Sequence, residues 1–380
     1  MKNSPHKILH IITKLQLGGA QQNTLYTTAN TDKKKFHSLI ISGRGGILDN
    51  DRDDVEIIYT PYLGRELCPL KDILAFYKLY RIIKFQKPDI VHTHSSKAGI
   101  LGRLAARLAK TPTIIHTFHG FGFNDRQNFI KKQLFISLEK ICARISDILI
   151  FVSTSNMETA KTLKIGKPKQ YKLVRSGIEL DKYPAQINIP TKKEKLNLPL
   201  NGKIIVSLGN LKPQKNPEAF IELAKKITSE RKDTYFVFIG GGERLEEIKS
   251  TIAAANFTDK CRFIGWRKDA HEILRVADIF ILTSLWEGLP RSLVEALKTG
   301  LPSVCYNTDG VSDILKSGTN GYLIKQGDNK DMYNKISLLL EDENIRRNMS
   351  IEAKKTELKD FDINYMVKQL EELYTLRVKL

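Results

Sequence analysis

Two glutamates eight residues apart flank a change of backbone pattern, in Ser284-Leu285-Trp286-Glu287-Gly288-Leu289-Pro290-Arg291-Ser292-Leu293-Val294-Glu295. The apolar run over 278–283 predicts a strand, with Glu287 on the loop after it. A proline is preorganised for a helix start, so a helix is expected from about Pro290, with Glu295 a turn inside it. The N–H groups of Gly288 and Leu289 could then hold phosphate or sugar oxygens. Glu295 stands among Leu293, Val294, Ala296 and Leu297, so its carboxylate should be half-buried and need a partner such as ribose hydroxyls. The two acids would address different parts of one ligand. The plain alternative is a pair of surface glutamates on an amphipathic helix.

Three glycine-bearing loops follow strand-like runs. Leu17-Gly18-Gly19-Ala20 comes after the first strand and before a helical stretch from Gln21, so a ligand could approach the backbone there. It is not G-x-G-x-x-G and carries no dinucleotide fingerprint; an ordinary turn is the alternative. Leu208-Gly209-Asn210-Leu211-Lys212-Pro213-Gln214-Lys215-Asn216-Pro217 offers two lysines and an amide that could neutralise a pyrophosphate. It equally reads as a solvated loop with Asn216 as N-cap and Pro217 in the first helical turn. Ile239-Gly240-Gly241-Gly242-Glu243 gives the backbone room beside a bulky ligand, or is a plain loop.

Histidines end two further strands. His92 and His94 alternate to one face, and His116 and His119 close the next run. Without a carboxylate cluster beside them the spacing makes a weak zinc site, so no metal is expected, and one or both of His92 and His94 read as packing residues. His119, before the mobile-looking Gly120-Phe121-Gly122-Phe123, is the candidate for a ligand cleft.

The elements that must position these residues alternate strand and helix along the whole chain. Short apolar runs at 8–12, 38–42, 57–59, 90–92, 113–117, 148–152 and 171–174 are followed by others at 204–208, 235–239, 261–264, 279–283 and 303–306. Helical patterns lie between them at 70–85, 99–108, 129–144, 218–229 and 245–254. That order predicts βαβ units and parallel sheets covered on both faces. Pro184, Pro190 and Pro199 punctuate a Lys-rich stretch without strong periodicity, which reads as a linker. The expected fold class is therefore α/β, with two Rossmann-like domains facing across a cleft. Residues 1–184 form the first and 185–361 the second, and a C-terminal helix at about 362–380 returns to the first. Ligands of such sheets collect beyond the carboxyl ends of the strands.

At 380 residues and 41% hydrophobic, 27% charged, the chain has the composition of a soluble two-domain protein. No apolar run approaches the ~18–20 residues of a membrane span, and no secretory leader is legible, so a cytoplasmic protein is expected. Cys68, Cys142, Cys261 and Cys305 stand singly and read as buried thiols. The net charge of +19 is uneven: residues 1–184 hold 30 Lys and Arg against 15 Asp and Glu, and the rest 31 against 27. A basic first half suits an anionic partner, against the alternative of a generic Lys-rich surface. Residues 99–110 and 129–144, with Lys97, Arg103, Arg107, Lys110, Lys131, Lys132, Lys140 and Arg144, read as attachment to an anionic membrane surface. Solvated outer faces of Rossmann helices are the other reading. Charge alone raises nucleic-acid binding, but no helix-turn-helix, zinc-finger or RNA-recognition motif is present, so no nucleic-acid partner is expected.

Taken together, these loops resemble the retaining glycosyltransferases of family 4, which have the GT-B fold, over nearly the whole chain. The E-x7-E motif is Glu287-Gly288-Leu289-Pro290 to Glu295, followed by Ala296-Leu297-Lys298-Thr299-Gly300-Leu301-Pro302. The closing motif is Asp309-Gly310-Val311-Ser312-Asp313-Ile314 to Gly318-Thr319-Asn320-Gly321-Tyr322. The resemblance implies that Glu295 holds the nucleotide ribose and that Glu287 lies at the transferred sugar. Gly288, Leu289 and Pro290 would supply backbone donors, Lys215 would bind the diphosphate, and His119 would be the cleft histidine. Gly18, Gly19, Gly209, Asn210, Lys212 and Gly241 complete the expected donor site. Asn210 stands where the family often has arginine, Gln21 where an acid is common, and Ser176-Gly177-Ile178-Glu179 where it has Asn-Gly-Val-Asp. The stretch from His94 to Arg103 looks most like enzymes that build exopolysaccharide, capsule or O-antigen units on lipid carriers. The implied reaction moves a sugar from a nucleotide-sugar, UDP-linked by frequency in the family, to a saccharide or lipid-pyrophosphate-linked acceptor. It would need no cofactor and no metal and would run at the inner face of the cell membrane. A nucleotide-sugar epimerase of the same fold is the rival.

Overall fold

The computed structural model describes residues 4–49, 53–64, 66–183, 188–196, 198 and 200–378. Packing divides the chain into one unit of Met1–Gly177 with Asp360–Leu380 and another of Ile178–Lys359. The sequence-based break at 184/185 lies outside the described residues. The linker reading over 184–199 needs correction, because a short helix occupies Ile189–Lys195 within it.

The first unit is built on β1 (His6–Lys14), β2 (Phe36–Gly43), β3 (Ile57–Tyr59), β4 (Ile90–His94), β5 (Thr113–Phe118), β6 (Ile148–Phe151) and β7 (Tyr171–Leu173). These form a parallel sheet in the order β3-β2-β1-β4-β5-β6-β7. Runs such as Ile8–Ile12, apolar except for His10, suit strands covered on both faces, and the sheet is so covered. Its helices are α1 (Gly19–Asn30), α2 (Pro69–Gln86), α3 (Ser96–Leu108), α4 (Phe129–Arg144) and α5 (Thr154–Thr162). Leu9, Ile11, Leu39 and Val91 meet Ala75, Leu79 and Ala105 of α2 and α3, while Phe118, Leu149 and Phe151 meet Phe135, Ile136 and Ala160 of α4 and α5. Ile12 and Ile40 pack against α1 through Leu25 and Ala29. Asn128 and Ser153 cap α4 and α5 by accepting from Ile130 N and Asn156 N.

The second unit carries β8 (Lys203–Leu208), β9 (Thr234–Ile239), β10 (Cys261–Phe263), β11 (Ile279–Leu282), β12 (Ser303–Tyr306) and β13 (Gly321–Ile324), ordered β10-β9-β8-β11-β12-β13. Its helices are α6 (Ile189–Lys195), α7 (Pro217–Glu230), α8 (Leu245–Ala254), α9 (Ala270–Val276), α10 (Arg291–Lys298), α11 (Asn329–Glu341) and α12 (Glu343–Lys354). The strand β13 is additional to those read from the sequence. It is only four residues long and opens on Gly321, where a Cβ would stand 2.1 Å from the Ser303 carbonyl oxygen. The last helix, α13 (Ile363–Val378), packs Met366, Val367, Leu370 and Tyr374 against Ile8, Ile90, Ile115 and Ile150 of the first sheet.

In each sheet the strand order reverses beside the first strand, between β1 and β4 and between β8 and β11. Ligand sites of doubly wound sheets form at that switch point. The candidate residues follow those strands and their neighbours.

Candidate active site

In the second unit, β11 delivers the chain into the 283–290 loop, and β8 delivers it into the 209–217 loop. Thr283 Oγ1 donates to the carbonyls of Lys215 and Asn216 at 2.9 and 3.1 Å. Leu285 N donates to Gln214 O at 2.8 Å, and Gln214 Nε2 returns a bond to Trp286 O at 2.8 Å. This lacing brings Lys215 Nζ to 2.6 Å from Glu287 Oε1, with side chains only 15% and 7% exposed. A buried carboxylate needs such a partner, and a buried ammonium equally so. A third strand end holds the loop: Asp309, after β12, accepts from Glu287 N at 2.6 Å. Gly288, Leu289 and Pro290 are buried beside it.

Glycines make room for these side chains. A Cβ on Gly209 would meet Lys215 Cε at 2.8 Å, so the lysine stem lies over that glycine. Gly240 has φ +137° and would place a Cβ 1.8 Å from Gly209 O, which makes glycine necessary there. Trp266 covers Gly241, and the Asn210 side chain covers Gly242. Lys212 is half-buried on the same turn. Asn216 holds the N-cap position of α7 with Pro217 first in the helix, as expected, but it is left-handed at φ 49° and its side chain makes no cap hydrogen bond.

Pro290 precedes α10 rather than opening it. Glu295 is half-buried, as expected, but its partners here are protein groups. It is hydrogen-bonded to Tyr183, with Arg291 one turn earlier beside it and the Lys215 charge in range. Burial raises the Glu295 carboxyl above the usual carboxylate range, and Arg291, Tyr183 and Lys215 oppose that shift. Burial likewise pushes the Tyr183 phenol upward, with the Glu295 charge adding to it, and its ring meets His271 edge-on at 5.9 Å. Around this cluster, Ser284 Oγ and Ser292 Oγ are buried without a partner among the described residues. Buried hydroxyls of that kind are uncommon unless a ligand or water completes them.

Gly18, Gly19 and His119 belong to the first unit. Gly18 is the N-cap of α1, whose first turn carries no acid. His119 shares a cavity with Asn23 and Thr24 of α1, His94, Thr117, Arg175 and Met366. The loop after it is not free: Phe121 stacks on Phe123 at 4.7 Å and packs on Phe118, so the mobile reading is corrected by aromatic packing. The histidines themselves form a buried group. His92 bonds Tyr374 OH at 2.7 Å and Thr117 Oγ1 at 2.8 Å, and His116 Nδ1 bonds Thr93 Oγ1 at 2.9 Å. His10, absent from the sequence-based set, joins them: nitrogens of His10, His92 and His94 lie within 4.8 Å of one another. Burial holds His10 down at about 3 and puts His92, His94 and His116 well below the ordinary imidazole range.

Sequence reasoning missed Tyr183, Arg291, Asp309, His10 and Tyr374 as parts of these groups. Arg291 left a local signal, four residues before Glu295 on a helix, and Asp309 opens the closing motif. The others come from distant segments.

The model for Glycosyltransferase Family 4 matches residues 17–182, and that for Glycosyl transferases group 1 matches residues 188–356. A relative from Escherichia coli, UDP-Gal:alpha-D-GlcNAc-diphosphoundecaprenol alpha-1,3-galactosyltransferase, is 33% identical over 98% of this chain and 97% of its own. The chain belongs to glycosyltransferase family 4. A second relative of this glycosyltransferase is the N,N'-diacetylbacillosaminyl-diphospho-undecaprenol alpha-1,3-N-acetylgalactosaminyltransferase of Campylobacter jejuni. It is 28% identical over 86% of this chain and 87% of its own. Among solved structures, Anabaena HepE in complex with UDP-glucose superposes with a TM-score of 0.80 at 19% identity, over 97% of this chain and 99% of that one. The sucrose-phosphate synthase of Thermosynechococcus elongatus gives 0.81 at 17%, over 98% of each chain. The glycosyltransferase thus has the GT-B fold, as two parallel-sheet α/β domains.

Proposed function

We propose that this glycosyltransferase moves a hexosyl or N-acetylhexosaminyl group from a UDP-sugar to a saccharide carried on a polyprenyl diphosphate, with retention at the anomeric carbon. The observation that carries the reading is the buried Lys215–Glu287 pair, held at three strand ends of a family 4 chain. Two relatives named for undecaprenol-diphosphate-linked acceptors support the acceptor class, and HepE in complex with UDP-glucose supports the donor class. In the reaction the bond from the anomeric carbon to the UDP oxygen breaks and a bond to the acceptor oxygen forms. The acceptor proton passes to the departing phosphate. Lys215, with Lys212 beside it, would stabilise the charge gathering on that phosphate. Glu287 would face the sugar, and Glu295 would exchange Tyr183 for ribose hydroxyls. Because lysine and main-chain donors supply the countercharge, the reading includes no metal ion; EDTA should leave the rate unchanged.

A peripheral place on the inner face of the cell membrane belongs to the same proposal. Among the described residues, no helix is long and apolar enough to cross a membrane. In α2, Leu70, Ile73, Leu74, Tyr77 and Phe85 are exposed, and in α4 Phe129, Ile130, Leu134 and Ile141 are exposed. Lys71, Lys78, Arg81, Lys84, Arg107, Lys110, Lys131 and Arg144 are exposed alongside. Apolar side chains with basic flanks suit anionic lipid. Two residues of the sequence-based basic set do not take part: Arg103 is fully buried against Glu139, and Lys97 is buried against Asp72. Helical periodicity alone could not show that α2 and α4 cover that side of α3.

The test is transfer of labelled sugar from a panel of UDP-sugars to GlcNAc-diphosphoundecaprenol in anionic vesicles. One donor should be used and the Glu295→Ala protein should lose its thermal shift with UDP. No transfer from any UDP-sugar, or turnover of the donor without an acceptor, would overturn the reading, the second outcome in favour of an epimerase.

A further inference from the structure

In the first unit α3 packs between α2 and α4, with Ala98 and Ala105 against Ala75 and Leu79 and with Ile100 against Phe135 and Ile136. Its neighbours leave part of its outer face uncovered. Over its last two turns a groove of about 770 Å³ opens, with Leu104 and Leu108 of α3 between Phe76 of α2 and Ile141 of α4, and Arg107 and Lys110 beside them. Sites for small ligands span ~300 to ~1,000 Å³ and are mainly apolar with a few placed polar groups. Leu108 is 57% exposed and Ile141 50%, so the groove leaves large apolar side chains in water. Apolar surface gathered in this way marks a place where something binds.

Charge identifies the occupant. The sequences of α2, α3 and α4 hold eleven lysines and arginines against two acids, Asp72 and Glu139. Both acids are consumed within the fold, Asp72 by Lys97 and Glu139 by Arg103. A second copy of the chain would bring a like-charged face against this one, whereas an anionic lipid neutralises it. An acidic polymer would satisfy the charge but leave the apolar floor unfilled. We propose that the groove seats one acyl chain of an anionic phospholipid, whose phosphate lies between the Arg107 guanidinium and the Lys110 ammonium. Because α3 begins at the carboxyl end of β4 and ends before the amino end of β5, the groove lies about 20 Å, the length of that helix, from the strand-end loops. One sugar on a diphosphate at Arg107 and Lys110 would not reach those loops, so this lipid is not the acceptor. The site requires neither sugar transfer nor a vesicle. It adds a stoichiometric lipid to the peripheral placement above, which needs only exposed side chains.

The experiment titrates the full chain with dioctanoylphosphatidylglycerol held below its micelle concentration, so that single lipids bind. Native mass spectrometry reads the stoichiometry and calorimetry the affinity. One equivalent should bind. Dioctanoylphosphatidylcholine should bind more weakly, and glycerol phosphate, which has the charge without the chains, should give no heat. Arg107→Gln with Lys110→Gln should weaken the phosphatidylglycerol about 30-fold, the loss expected of two basic side chains beside a phosphate. Leu104→Trp fills the groove and should abolish binding of both lipids, with far-UV CD and the melting point checking its fold. Leu108→Asp, at an exposed position, should remove binding by a second route. Phe85→Ser, on α2 but outside the groove, should bind the short lipid as the unmodified chain does. Uptake that does not saturate at one equivalent, or one-to-one binding that survives both Leu104→Trp and Leu108→Asp, would overturn the proposal. A dimer that either of those variants disperses would give the groove to a second copy and overturn it too. Flotation with phosphatidylglycerol vesicles is scored separately. One-to-one binding without flotation upholds the groove and counts against peripheral attachment, and flotation without one-to-one binding does the reverse.

Discussion

Lowering the pH from 8 to 5 should unfold the first unit selectively. His10, His92, His94 and His116 are buried and held neutral, well below the 6.5 at which each ring titrates in the unfolded chain. Below pH 6.5 the unfolded state therefore binds more protons, and stability is full above that pH and lost as it falls. Each ring costs about 1.4 kcal/mol per pH unit, hence about 2 kcal/mol by pH 5. Four rings together cost about 8 kcal/mol, comparable with the ~5–15 kcal/mol that stabilises a whole domain. All four lie in the first unit, whereas both tryptophans, Trp266 and Trp286, lie in the second. Urea titrations at pH 8, 7, 6 and 5 should separate the two by optical probe. The far-UV CD transition should lose a large part moving to low urea as pH falls, while tryptophan fluorescence moves little. Replacing His116 by glutamine should reduce the proton uptake by about one. An uptake below about one proton between pH 6.5 and 5, or an equal acid shift in tryptophan fluorescence, would refute the burial argument.

Two further perturbations concern buried ion pairs. Lys215→Ala leaves Glu287 buried without its cation and should cost about 3–5 kcal/mol, read as a lower melting point by tryptophan fluorescence, with transfer slowed at least ~100-fold. The pair Lys215→Met with Glu287→Leu should regain most of the stability and none of the rate, which separates folding from catalysis. In the first unit, Arg103 and Glu139 are 0% and 3% exposed at 2.6 Å. Glu139→Ala should destabilise by about 3–5 kcal/mol in CD-monitored urea unfolding, and Arg103→Met with Glu139→Leu by much less; equal losses would show that the unpaired charge is not the cost.

The two parallel sheets were legible because doubly covered strands write themselves as short, mainly apolar runs, and the helices between them carry a 3.6-residue period. Strand β13 escaped since four residues opening on a glycine hold too little pattern. The loops of the candidate site were legible as well: glycines, a proline and two spaced glutamates mark a strand-to-helix turn whatever surrounds it. Their pairings were not. Nothing in the local sequence distinguishes Lys212 from Lys215, yet it is Lys215 that pairs with Glu287, through hydrogen bonds between loops some seventy residues apart. The basic residues of α3 were misread for the same reason. Arg103 and Arg107 differ by one helical turn, but α4 covers the first and leaves the second in solvent.

The amino-acid order by itself thus determined the α/β class, the alternation of elements, the strand-end loops and the family to which they belong, because each of these is a local or periodic property. Tertiary structure alone decided which loop charges meet, that Tyr183 closes on Glu295, and that His10 completes a file ending at His119. Those contacts join segments distant in the chain, and their energies depend on burial, which no single segment carries.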